Sequence, residues 1–244
     1  MNNNISKPDL EELKKQYQEK DLDIVLNKIE NGYPVQYAIG YVNFCGNKLM
    51  VNENVLIPRY ETEFLVELIK KTIDSSFTGN IFDIGTGSGA IAISLGKIFS
   101  KSKIDGIDIS KEAILVAENN KNINKVTNVS FFEKDINNVD NFDNYDVIVS
   151  NPPYVDIKEE VGKETKYEPQ NAIFATDNGL FFYKKILSIL KKTENKPTYI
   201  FFEIGMNQAE YIKEIFENLE LDYTFNVKTD LSGKNRYVYL IMNK

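Results

Sequence analysis

The run from Phe82 to Phe99 constrains the fold of this chain more than any other, because it reads FDI, then GTGSG, then AIAISLGKIF. An apolar strand, a glycine turn and a helix follow one another without a break. Glycines tolerate positive φ and let the backbone approach a ligand closely, and a helix start offers free N–H groups with a partial positive charge. Such a unit belongs in an alternating α/β chain. Strand-like runs near 80–84, 103–108, 128–132, 145–150, 197–204, 221–228 and 236–242 alternate with helical segments for most of their length, which predicts a doubly wound α/β sheet. The last two runs are separated only by TDLSGKN, so they should pair as an antiparallel hairpin.

The glycine string also fits the pattern G-x-G-x-x-G/A when Ala90 is counted. Gly85, Thr86, Gly87, Ser88 and Gly89 are therefore candidate cofactor residues, for a nicotinamide dinucleotide or for S-adenosylmethionine alike. KIDGID ends at Asp108, followed by Ile109, at the distance where an acid reaches ribose hydroxyls. The other reading of Asp108 is a helix cap before SKEAILVAENN, a role that Ser110 fills. NVSFFEKD ends at Asp135-Ile136, a polar and apolar pair suited to an adenine ring. Gly85, Asp108, Asp135 and Asn151 all fall at the carboxyl ends of strands, where ligands bind in open α/β sheets.

YDVIVS runs into Asn151-Pro152-Pro153-Tyr154. Two prolines lack N–H donors and have fixed φ, so carbonyls around them stay free to accept hydrogen bonds. The Asn151 carboxamide oxygen and the Pro152 carbonyl can take the two hydrogens of one NH2 group, while Tyr154 offers a flat face to a planar group. This arrangement points to methyl transfer onto an amide or amine nitrogen, with Asn151, Pro152 and Tyr154 as catalytic candidates and Pro153 with them in substrate binding. Asn-Pro-Pro is also ordinary turn punctuation. The chain has no histidine, which removes Ser-His, Cys-His and His-metal mechanisms together.

Taken together, these segments resemble the HemK/PrmC-type protein-(glutamine-N5) methyltransferases, which methylate the glutamine of the Gly-Gly-Gln motif in peptide chain release factors. The likeness runs through PVQYAIG at Pro34, FCGNKLMVNENVLIPRYETEFLVE at Phe44, FDIGTGSGAIAISL at Phe82, DIS at Asp108 and IVSNPPYV at Ile148. It continues in the EP at Glu168, DNGL at Asp177 and EIGMNQ at Glu203. It implies a Rossmann-like class I S-adenosylmethionine methyltransferase fold with a reversed terminal strand. It also implies S-adenosylmethionine as cofactor, S-adenosylhomocysteine as product and a class I release factor as partner. In the family the Pro58-Arg59 and Glu61-to-Glu63 stretch lies beside the cofactor, so Arg59 and Glu61 are candidate supporting residues, or simply a helix start with favourably placed acids. Glu203 is a further supporting candidate at a strand end, or an anchor for the next loop. NPPY also occurs in enzymes that methylate adenine N6 in DNA or RNA, and a non-catalytic nucleotide-binding scaffold is a third reading.

Family members usually carry an amino-terminal multi-helix domain, whereas 33 residues precede Pro34 here. They read as two short helices. Pro8 opens the first, Asp21 caps LDIVLNKIE, and Gly32 ends it. Such helices need a packing surface, either the core or a second copy. YVNFCGNKLMV alternates around Gly46-Asn47 as a hairpin, and Phe64, Leu65, Leu68, Ile69 and Ile73 form one apolar helical face. The expected division is a helical segment at 1–33, a hairpin connector at 34–58 and the methyltransferase domain at 59–244. The polar stretch 155–176 is expected to be a mobile substrate loop, or else a packed connector.

With 42% apolar residues in 244, one large core and a small appendage can form. No run is long and apolar enough to span a bilayer and no signal-peptide pattern appears, so a cytoplasmic protein without membrane contact is expected. Net charge is −7 with scattered basic residues, which disfavours stable nucleic-acid binding. Cys45 is the single cysteine, so an internal disulfide is excluded, a bound metal is not expected, and a small buried or edge position suits it.

Overall fold

The computed structural model describes residues 5–243. Two helices, α1 (Lys7–Gln16) and α2 (Glu19–Glu30), lead into a short α3 (Val35–Ile39) and a hairpin of β1 (Tyr41–Phe44) and β2 (Asn47–Met50). Then follow α4 (Tyr60–Thr72), β3 (Asn80–Ile84), α5 (Ala90–Ile98), β4 (Lys103–Asp108), α6 (Lys111–Ile123), β5 (Val129–Glu133) and β6 (Val147–Ser150). Past a pair of two-residue strands, β7 (Val155–Asp156) and β8 (Phe174–Ala175), the chain ends with α7 (Phe181–Lys192), β9 (Tyr199–Glu203), α8 (Ala209–Glu217), β10 (Tyr223–Thr229) and β11 (Asn235–Met242).

Seven strands form one sheet in the order β10-β11-β9-β6-β3-β4-β5. The five from β9 to β5 run parallel, whereas β11 pairs antiparallel with both β9 and β10. The terminal hairpin expected from the sequence is thus present. Strand side chains alternate between faces. Ile81, Val147, Val149 and Phe201 pack with α4 and α5 on one side, and Phe82, Ile84, Ile148, Ile200 and Phe202 pack with α7 and α8 on the other. Order reverses between β3 and β6, whose carboxyl ends carry Gly85 and Asn151 side by side.

The amino-terminal helices dock on α3 and the hairpin. Leu13, Ala38 and Ile39 are buried there among Tyr17, Leu26 and Ile29, and the Tyr17 hydroxyl donates to the Ala38 carbonyl at 2.8 Å. Pro8 lies in the first turn of α1, with Ser6 as its cap. Asp21 does not cap α2. The helix begins earlier, behind Gln18, and Asp21 sits inside the first turn, where a carboxylate still suits the helix dipole. The hairpin turn is also displaced from Gly46-Asn47. Cys45 and Gly46 occupy it with φ of 47° and 74°, and Asn47 is already a buried strand residue. Positive φ at two successive positions matches the twist of the flanking strands. Cys45 is therefore exposed at the tip. In α4 the apolar face holds, with Leu65 and Ile69 fully buried, Phe64 and Leu68 partly so, and Val66 added to the core.

Asn120, on α6, ties the hairpin to the glycine loop. Fully buried, its carboxamide accepts from the Met50 N–H at 2.6 Å and donates to the Met50 carbonyl at 3.0 Å and the Ser88 carbonyl at 2.9 Å. Asn120→Ala leaves three polar groups unpaired, so a loss on the order of 3 kcal/mol in urea unfolding is expected. A midpoint equal to wild type would contradict this.

Candidate active site

The glycine loop arches over the end of β4. The N–H groups of Gly85 and Thr86 both donate to the Ile107 carbonyl at 2.9 Å. Gly85 and Gly87 have φ of 75° and 53°, and a Cβ at either would meet no atom within 4 Å, so both face open space. Gly89 faces inward instead, with a Cβ position 2.8 Å from the Phe131 ring. Thr86 and Ser88 are buried; the Thr86 hydroxyl donates to Asp83 at 2.7 Å, and the Ser88 carbonyl is held by Asn120. Gly85 and Gly87 thus form the open face of the loop, and Thr86, Ser88 and Gly89 support it from beneath.

A cavity of about 260 Å³ opens on this face. Asp108 and Ile109 border it from the end of β4, Asp135 and Ile136 from the end of β5, and Asn151, Pro152 and Pro153 from the end of β6. The Asp108 carboxylate accepts from the Gly87 and Ser110 N–H groups, each at 2.9 Å. Burial raises its carboxyl above the ordinary range, and those donors oppose the shift. Ser110 caps α6 as expected, which leaves Asp108 to the cavity. Asp135 also accepts from the Asn137 N–H at 2.8 Å.

A smaller chamber of about 140 Å³ lies on the other side of Asn151 and Pro152, bordered by Arg59, Tyr154 and Glu203. Asn151 and Pro152 line both spaces. Contacts with distant residues hold the turn. The Asn151 Nδ2 donates to the Thr62 Oγ1 at 3.1 Å, and the Thr62 hydroxyl donates to the Glu203 Oε2 at 2.8 Å. The Tyr154 carbonyl accepts from the Gln208 Nε2 at 2.9 Å and packs so tightly on Gly179 that a Cβ there would sit 2.1 Å away. Gly179 has φ of 77°, which also favours glycine.

Residues 155–176 are closed at their ends by the pairing of β7 with β8 and contain two short 3-10 turns. Glu168, buried, accepts from the Ile57 N–H at 3.0 Å and forms an ion pair with Arg59. Arg59 is therefore tied to this segment. Glu61 borders neither space; it is exposed, and its carbonyl accepts from the Tyr237 hydroxyl at 2.7 Å. Sequence reasoning missed Thr62, gave Glu168 and Gln208 no role, and missed Leu56, Phe181 and Phe182 on the cavity walls. Leu56 and Thr62 lie in the Phe44-to-Glu67 segment, Glu168 in EP and Gln208 in EIGMNQ, so each carried a signal at the level of its segment, whereas Phe181 and Phe182 carried none.

Residues 60–177 match the family model described as the methyltransferase small domain. The release factor glutamine methyltransferase of Lactococcus lactis subsp. lactis is 39% identical over 225 residues, which cover 90% of this chain and 81% of that protein. The chain belongs to the release factor glutamine methyltransferase family. A relative of the same name from Fusobacterium nucleatum subsp. nucleatum is 38% identical over 93% of the chain, which spans 65% of that protein's length. Among solved structures, the hMettl16 catalytic domain in complex with a MAT2A 3'UTR hairpin aligns at a TM-score of 0.63 and 16% identity. The match covers 88% of this chain and 84% of that one. A ribosomal protein L11 methylase from Lactobacillus delbrueckii subsp. bulgaricus aligns at a TM-score of 0.54 and 18% identity, over 76% and 81%. At these identities the structures show a shared methyltransferase fold. Among the described residues no helix is long and apolar enough to cross a membrane.

Glu203 is 1% exposed. Burial raises its carboxyl from the ordinary 4.5 to about 7, against the Thr62 hydrogen bond and the Arg236 charge. Between those values the folded chain holds a proton that the unfolded chain releases, so this group's contribution to stability falls as pH rises through them. Glu203→Gln removes that penalty. It should stabilise the protein by about 2–3 kcal/mol at mildly alkaline pH, with the gain fading in acid; thermal melts across pH measure this, and a gain that grows toward acid would contradict it.

Proposed function

We propose that this chain transfers a methyl group from S-adenosylmethionine to the side-chain amide nitrogen of the glutamine in the Gly-Gly-Gln motif of class I peptide chain release factors. The observation that carries the reading is the acceptor pair, Asn151 and the Pro152 carbonyl, standing in the wall between the glycine-floored cavity and the smaller chamber. The names of the curated relatives support the substrate class.

The larger cavity suits the cofactor. Gly85 and Gly87 present backbone where any side chain would intrude, Asp108 offers carboxylate oxygens for ribose hydroxyls, and Asp135 with Ile136 offers a polar edge and an apolar surface for adenine. Ile109 flanks the same side. When bound, the sulfonium supplies an electrophilic methyl group.

The chain's own part is to place the nitrogen. Asn151 Oδ1 and the Pro152 carbonyl each accept one N–H of the glutamine carboxamide, and the Tyr154 ring covers its planar face. Holding both hydrogens localises electron density on nitrogen and aims its lone pair at the methyl carbon. This nitrogen would take the sulfonium methyl of bound S-adenosylmethionine, leaving the neutral thioether, and the amide proton would then pass to solvent from the acidic methylated nitrogen. Positioning of this kind can contribute about 7–11 kcal/mol, against ~3–5 kcal/mol for general base catalysis. It is the larger lever for an amide nitrogen whose lone pair is delocalised.

Labelled S-adenosylmethionine offered with purified release factor, its Gln→Ala variant, DNA and ribosomal RNA separates the readings. Label on the release factor that vanishes with the glutamine is the expected outcome. Label on nucleic acid alone would overturn the proposal in favour of adenine N6.

A further inference from the structure

Thr62 sits in the first turn of α4, buried at 3% exposure, between two side chains of the site. On one side is Glu203, 2.8 Å from the hydroxyl. On the other is the Asn151 carboxamide, whose Nδ2 lies 3.1 Å away. At mildly alkaline pH, above the raised value of about 7, Glu203 is ionised and accepts without donating, so the single Thr62 hydroxyl proton is committed to it. Only lone pairs remain toward Asn151. The carboxamide can then meet Thr62 only through its NH2 end, which turns Oδ1 away. Among the described residues that oxygen has no hydrogen-bond partner, yet it is not one of their buried unpaired polar atoms, which are Asn47 Oδ1, Asp83 Oδ1 and Asp105 Oδ1. It opens to the space that Asn151 lines.

We infer that Thr62 is a positioning residue for methyl transfer, relaying the acceptor character of Glu203 through its hydroxyl to fix Asn151 with Oδ1 toward the substrate NH2. The inference rests on the acceptor role proposed above for Asn151. The orientation matters because a carboxamide has two nearly isosteric ends. Turned over, Asn151 would present donors to the donors of the substrate, and the grip would become a repulsion. Among the described residues nothing else holds the Asn151 side chain by a hydrogen bond, so without the Thr62 oxygen the two orientations compete.

Thr62→Val keeps the volume and the β-branch but offers no acceptor. Its kcat for release factor methylation at mildly alkaline pH should fall at least about tenfold, the loss expected for one directed hydrogen bond, while cofactor affinity is unchanged. Thr62→Ser retains the hydroxyl and should recover kcat close to wild type. A Thr62→Val enzyme at the wild-type kcat, or a Thr62→Ser enzyme as slow as Thr62→Val, overturns the inference. If Thr62→Val does not fold, the wild-type protein decides. Its crystal structure with S-adenosylhomocysteine and a glutamine peptide, at a resolution that separates oxygen from nitrogen, should show Nδ2 toward Thr62; Oδ1 in that place overturns the inference. Wild-type protein that methylates no glutamine would overturn the functional reading instead, so the two failures are distinguishable.

Discussion

The site depends on a backbone constraint at the end of β6, where Pro152 and Pro153 follow Asn151 and neither can donate an N–H. A strand that continued normally would spend its carbonyls on neighbours. Here the ring constraints stop the ladder, and Asn151 and Pro152 line both cavities. The loop is then clamped from outside, by Gln208 on the Tyr154 carbonyl and by Gly179 beneath it. That explains why a glycine and a glutamine far along the chain belong to the same site.

The sheet topology brings this acceptor turn beside the glycine loop. β3 and β6 are neighbours although β4 and β5 intervene in sequence, and this reversal of order opens the crevice at their carboxyl ends. The inner strands β3, β4, β6 and β9 are largely buried on both faces, while the edge strand β5 leaves Phe132 exposed; the positions of Gly85, Asp108, Asp135 and Asn151 are set by register in this layer. Into that layer the fold also places Glu203, a carboxylate whose burial is unfavourable. The Thr62 hydroxyl and the Arg236 charge offset part of that cost. A residue retained against stability in this way is expected where it orders a functional group.

Strand positions and the glycine loop were legible in the sequence because each has a local physical signature: a period of two, positive φ and a missing N–H. The antiparallel end was legible because TDLSGKN is too short for a crossover. What escaped was non-local. Thr62 meets Asn151 across 89 positions and Glu203 across 141, and Glu168 reaches Ile57 across 111, so no spacing rule finds them. The motif makes Thr86 and Ser88 candidate cofactor residues without giving a face to either side chain; the structure buries both. At the hairpin, Gly46-Asn47 suggested the turn, yet Asn47 is buried in the strand, and its Nδ2 donates to the Ser94 hydroxyl at 3.1 Å. Burial of that side chain shifted the turn by one residue.

The central claim is that Asn151 and the Pro152 carbonyl position the glutamine nitrogen and that no other group in the chain replaces them. Single-turnover methyl transfer by Asn151→Ala, measured beside its affinity for S-adenosylmethionine, tests this most directly. Near-normal cofactor binding with a rate reduced by roughly 1,000-fold is expected, the scale on which one preorganised contact to the reacting group acts. Transfer at the wild-type rate by a variant that binds cofactor normally would contradict it.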